Sequence, residues 1–143
     1  MAKRALVDRF LIENVSIYGE DPHHDLEPRY IGLTRCLEKL PDAIVERLCD
    51  LVLVHIPRGR PACVSINEPV SLIFLPESMQ SWPWDAIEGA IAHEFAHAMD
   101  GLETCWTEQD CDDWAVEWGF AAEVQAAQDV VADLFFKELG LSL

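Results

Sequence analysis

"AIAHEFAHAMDG", residues 90–101, sets two histidines four positions apart with a glutamate directly after the first. On an α-helix, positions i and i+4 share one face, one turn above the other. His93 and His97 can therefore aim their imidazoles at a single ion. Glu94 is turned by about 100° from His93, so it flanks the ion and is placed to take a proton from water. This is the H-E-x-x-H arrangement of a helix-borne zinc site. The surrounding residues agree with a helix. Ile87, Ile91, Phe95 and Ala98 keep the helical period and face a core. Ala90, Ala92, Ala96 and Ala98 leave room for a second element to approach the ion. Gly101 is placed to stop the helix, and Asp85 with Glu88 has the spacing of a capping box at its start.

A catalytic zinc takes three protein ligands and keeps a fourth position for water, so one more ligand must come from beyond His97. The run "EQDCDDWAVEWGF" begins at Glu108. It resembles the E-x-x-A-[DN]-x-x-A pattern that follows H-E-x-x-H in gluzincin-type metallopeptidases. Cys111 stands where that pattern has Ala, and Asp112 supplies its Asp/Asn position. The resemblance implies that Glu108 ligates the metal and that Asp112 supports a ligating imidazole. Such a ring must give its other N–H to a partner, and Glu108 and Asp112, four apart, can face the metal from a second helix. "HEFAHAMD" is also similar to the active-site helix of the Mlc titration factor A peptidases and of the anthrax lethal factor metallopeptidase domain, which are zincins with a later glutamate ligand. Together these resemblances span residues 90–120. They imply a single zincin-like domain over residues 1–143, Zn2+ as cofactor and a peptide or protein as substrate.

Glu103 is the rival third ligand, six residues beyond His97 as in metzincins. The metzincin turn needs Gly at position 100, where this chain has Asp100, with Gly101 one place late. Asp100 is then a partner of the histidines or a helix-end residue. Cys105 and Cys111 are possible thiolate ligands, which suit a structural zinc better, and are otherwise small buried residues. His23, His24, His55, Tyr18 and Tyr30 are polar groups that a mechanism could use to steady an oxyanion, but nothing in the sequence positions them.

The remainder reads as α+β: N-terminal helices, a short sheet of about three strands, the His-bearing helix and C-terminal helices. Residues 3–14 form a first helix with Leu6, Phe10 and Leu11 inward. "GEDPHHDLEPRY" (19–30) reads as a loop, "IGLTRCLEKL" as a short helix, and "PDAIVERLCD" as another opened by Pro41. "LVLVHI" (51–56), "ACVSIN" (62–67) and "VSLIFL" (70–75) are the strand candidates, the last a possible edge for an extended peptide. After the Glu108 helix, ended by Gly119, the last helix carries an apolar stripe of Phe120, Val124, Ala127, Val131, Leu134 and Leu139.

Charge narrows the partners. Ten basic residues face twenty-six acidic ones, a net of −16, and residues 85–143 hold fourteen acidic residues against Lys137 alone. Nucleic acid and anionic membrane are excluded as partners, since both require clustered Lys and Arg. The acidic surface is either a solvated face or an attractor of a cationic peptide or metal ion. No apolar leader or membrane-length run is seen. The five cysteines are odd in number and irregularly spaced, which reads as reduced thiols in a cytoplasmic protein. The expected function is zinc-dependent peptide hydrolysis with Glu94 as general base. The alternative is a zinc-binding or protein-interaction domain, with a protein partner and no turnover.

Overall fold

A computed structural model gives the fold and describes residues 2–17, 27–57, 71–100 and 107–138. Among the described residues it is a mixed structure of six α-helices and a three-stranded parallel sheet. The elements run α1 (Lys3–Glu13), β1 (Val15–Ile17), α2 (Pro28–Lys39), α3 (Asp42–Leu51), β2 (Val52–Ile56), β3 (Ser71–Phe74), a 3₁₀ turn (Glu77–Ser81), α4 (Trp84–Asp100), α5 (Glu108–Glu117) and α6 (Ala121–Glu138). The strand order is β1-β2-β3, with Val15 opposite Val54 and Val54 opposite Ile73.

β1 and β2 are joined through α2 and α3, the helical crossover that parallel neighbours use. β2 is nearly all buried, through Val52, Val54, His55 and Ile56, as a strand covered on both faces must be. Asn14, just past α1, holds the junction of α3 and β2. Its Nδ2 donates to the carbonyls of Cys49 and Val52, both at 2.7 Å. "LVLVHI" yields β2 except that Leu51 closes α3, and "VSLIFL" contains β3. "ACVSIN" lies outside the described residues; the third strand among the described residues is β1. Three residues carry too little alternation to be read as a strand.

The core gathers on α4. Ile87, Ile91, Ala92, Phe95 and Ala98 are buried together with Phe10, Leu33, Leu37, Leu48 and Phe120. Phe10 and Phe95 meet edge to face at 5.9 Å. Two glycines allow close helix approach. A Cβ on Gly32 of α2 would stand 2.5 Å from Ile87 Cγ2, and one on Gly89 of α4 would stand 2.0 Å from the carbonyl oxygen of Glu123. α6 therefore lies against α4 at backbone distance.

Glu88 does not cap α4. It is buried and pairs with Lys39 Nζ at 2.9 Å, and the same ammonium reaches Glu123 at 3.0 Å. A buried carboxylate needs such a partner, and this one ties α2, α4 and α6 together. The segment read as a loop up to residue 30 gives way to helix at Pro28, since proline fits the first helical position. Glu27 precedes it and accepts from Arg29 N and, at 2.9 Å, from Arg29 Nε. Arg29 is fully buried and its Nη1 donates to Leu75 O at 2.6 Å. Gln80 Nε2 donates to the other Glu27 oxygen at 2.9 Å. This network fixes the end of β3 and the 3₁₀ turn relative to α2. α5 ends at Gly119, whose φ of +102° suits glycine. Phe120 N donates to Ala115 O and Gly119 N to Val116 O, the paired bonds of a Schellman stop, and Phe120 turns back into the core.

The stripe on α6 is split. Phe120 and Val124 are buried, Ala127 is half-buried, and Val131 and Leu134 are exposed; Leu139 lies outside the described residues. Cys36 and Cys111 are buried and Cys49 is half-buried; Cys63 and Cys105 lie outside the described residues. No helix among the described residues is long and apolar enough to cross a membrane.

Candidate metal centre

His93 and His97 lie on the half-buried side of α4, between the core face and solvent. Their rings meet edge to face with centroids 4.7 Å apart, and the two Nε2 atoms are 3.1 Å apart. α5 comes to them through its first turn. Thr107 caps that turn, with Oγ1 accepting from Asp110 N at 3.1 Å while Asp110 Oδ2 accepts from Thr107 N at 2.9 Å. Glu108 is the first residue of the helix, where the unpaired amides of the N-terminus favour a carboxylate. Its oxygens stand 2.6 Å from His93 Nε2 and 3.1 Å from His97 Nε2.

The far nitrogens are held by the same turn of α5. Asp112 Oδ1 accepts from His93 Nδ1 at 2.7 Å. Cys111 Sγ is 3.3 Å from His97 Nδ1. Positions 108, 111 and 112 are i, i+3 and i+4, so one helical turn brings a carboxylate to the front of both rings and a partner to the back of each. α6 adds a further link, because Gln128 Nε2 donates to Asp112 Oδ2 at 2.8 Å. The sequence placed Glu108 and Asp112 here but gave no sign of Gln128, sixteen residues beyond Asp112. From the sequence, Cys111 is either a thiolate ligand or a small buried residue. It is buried, but its sulfur lies behind His97, on the nitrogen turned away from Glu108.

These contacts set the chemistry. In the tautomers where Nδ1 of each ring donates backwards, to Asp112 and to Cys111, both Nε2 atoms carry lone pairs. Those lone pairs face each other and the Glu108 carboxylate at 2.6–3.2 Å. Lone pairs so close repel unless a cation, a proton or a metal ion, lies among them. Burial pushes the His93 pKa down, and the hydrogen bonds to Asp112 and Glu108 push it up and prevail. Hydrogen bonds from His97 and His93 hold the Glu108 carboxyl below its ordinary range. His93, His97 and Glu108 form a group that could hold a metal ion, with one ligand atom of each within 4.8 Å of the others.

Glu94 is exposed and lines the same cavity as His93, Glu108 and Asp112. That cavity measures about 670 Å³ and runs between α4 and α6 towards the end of β3, along Phe74, Leu75, Met79, Trp82, Ala90, Ala127 and Val131. Asp100 ends α4; its side chain, and the whole of Glu103, lie outside the described residues, as do Tyr18, His23 and His24. Tyr30 is in α2, and His55 is buried in β2 with its ring edge to face against Phe74 at 5.4 Å. Comparison with protein-family models, with curated proteins and with solved structures finds no match to this chain.

Proposed function

We propose that this protein is a small zinc-dependent metallopeptidase of gluzincin type, built on a zincin-like α+β domain. One observation carries the proposal. Two imidazole nitrogens and a carboxylate converge at the end of an open apolar cavity that Glu94 also lines. The donor set fits zinc, which accepts nitrogen and oxygen ligands and, at catalytic sites, three of them from the protein. The two Nδ1 partners favour the tautomers that such binding needs. His93, His97 and Glu108 would hold the ion. Zinc bound there would supply Lewis acidity toward water and the scissile carbonyl, bringing the pKa of water to about 7.

The chain's own residues divide the remaining work. Glu94 accepts a proton from the attacking water and returns it to the leaving amine, so that one peptide bond and one water become a carboxylic acid and an amine. Asp112, steadied by Gln128, keeps the His93 ring in register. Cys111 does the same for His97. The groove wall leading from β3 receives the substrate.

The test combines metal content with cleavage of a peptide library. Protein loaded with zinc and dialysed should retain one ion per chain and cut peptides. Glu94→Gln should keep the ion and lose cleavage. His97→Ala and Glu108→Ala should lose both, while Glu103→Ala should change neither. Zinc retained by the natural chain without any cleavage would assign the site to metal binding alone, and zinc lost on Glu103→Ala rather than Glu108→Ala would overturn the ligand set.

A further inference from the structure

The groove beside the metal centre has two chemical characters. Its walls are apolar, made by Phe74, Met79, Trp82, Ala90, Ala127 and Val131. Phe74 and Val131 are 51 % and 56 % exposed, so this is large apolar surface left open. It is also lined by Glu94, Glu108 and Asp112. Residues 85–143, which supply these carboxylates and the α6 wall, hold fourteen acidic residues and one basic residue. A divalent cation at the centre would leave most of that charge uncompensated. A second copy of the chain would bring a net charge of −16 towards the same face and be repelled.

Resting on the peptidase proposal, we infer that the groove takes a cationic peptide segment: one large aliphatic or aromatic side chain inside it, flanked by lysine or arginine. The apolar walls reward the first feature. Burying a leucine-sized side chain is worth about tenfold or more in affinity. The acidic surroundings reward the second, speeding encounter and rejecting anionic chains, in a manner that salt weakens. Among the described residues β3 pairs only with β2, and Phe74 from β3 lines the groove, so an extended peptide has an edge to lie along.

Binding can be read apart from turnover. Fluorescence anisotropy with the 143-residue chain carrying Glu94→Gln and loaded with zinc would use three labelled decapeptides: one with a central leucine between lysines, one with that leucine replaced by serine, and one with the lysines replaced by glutamate. The first should bind at least about tenfold more tightly than either other, and its advantage over the glutamate peptide should shrink as salt rises. Val131→Asp, at an exposed position that leaves the core untouched, should erase most of the leucine preference. Equal binding of all three, tighter binding of the glutamate peptide, or a leucine preference unchanged by Val131→Asp would overturn the inference. Cleavage by the natural chain is then scored separately. Selective binding without cleavage sinks the peptidase proposal and leaves the groove assignment standing; cleavage indifferent to leucine and lysine does the reverse.

Discussion

Cys111 Sγ lies 3.3 Å from Nδ1 of His97, on the side of the ring turned away from Glu108. The gluzincin pattern has alanine at this position, which can make no such contact. A thiol is a weak hydrogen-bond partner, so its effect belongs at the low end of the range for residues behind a metal ligand. Cys111→Ala should weaken zinc binding by about tenfold, and Cys111→Ser should bring it back towards the natural value. Competition with a chelator gives the affinities. Nitrogen chemical shifts of His97 should show Nδ1 protonated in the natural chain and a mixture of tautomers in Cys111→Ala. An alanine variant identical in both would leave the thiol without a part in the centre.

Acidity should act on the centre through His93. Protons and zinc compete for the same nitrogen. Burial lowers the pKa of His93, but the bonds to Asp112 and Glu108 outweigh it and set it above the ordinary 6.5. Zinc affinity should therefore begin to fall on the alkaline side of that value and continue to fall with acidification. Asp112→Asn takes the charge from the first of the raising contacts and so weakens it, and should move the onset to lower pH. Calorimetric titrations across a pH series would show this, and an onset unmoved in the variant would rule out Asp112 as the cause.

Away from the centre, Glu27 gives the fold its own pH dependence. Burial raises its pKa, yet the bonds from Arg29 prevail and hold it below its ordinary 4.5. A carboxylate so depressed contributes stability that is complete above 4.5 and is lost as pH falls through its lowered folded value. Glu27→Gln leaves Arg29 buried without its counter-charge and should cost about 3 kcal/mol at neutral pH. The gap in melting temperature between the two chains should be full at pH 7 and narrow as pH falls below 4.5. A gap constant across that range would contradict the assignment.

Gly89→Ala tests the contact between α4 and α6. The added carbon would meet backbone, the Glu123 carbonyl oxygen at 2.0 Å and its carbon at 2.3 Å, so the helices must separate. A loss of about 1–3 kcal/mol is expected by denaturant titration. Gly32→Ala meets a side-chain methyl of Ile87 at 2.5 Å, which can turn aside more easily, and should cost less. A reversed order would mean that α6 yields more readily than the Ile87 side chain.

The parts of this molecule legible in its sequence are those governed by helical period. The faces of α4, the four-residue spacing of its histidines and the spacing of Glu108 to Asp112 all follow from 3.6 residues per turn. What stayed hidden depends on distant partners. Glu88 had the spacing of a cap, but Lys39, forty-nine residues earlier, claims it. β1 is three residues long and exists because β2 offers it a ladder. Pro28 looked like a loop signal because proline marks both loops and helix starts. Gln128 is one polar residue among several on α6, and only the approach of α6 to α4 at Gly89 brings it to Asp112. Val131 and Leu134 keep the period of a buried stripe but stand exposed, Val131 on the wall of an open cavity.

The capping box of Thr107 and Asp110 has a consequence for how the centre is assembled. It closes around Glu108, so the third ligand rides on the opening turn of a helix, the part that frays first. Any ion that draws Glu108 against the two imidazoles also keeps that turn wound. With a metal bound, occupancy and helix closure would be linked equilibria: the centre would act as a latch on α5, and hydrogen exchange at the amides of Asp110 and Cys111 would become a gauge of free metal concentration.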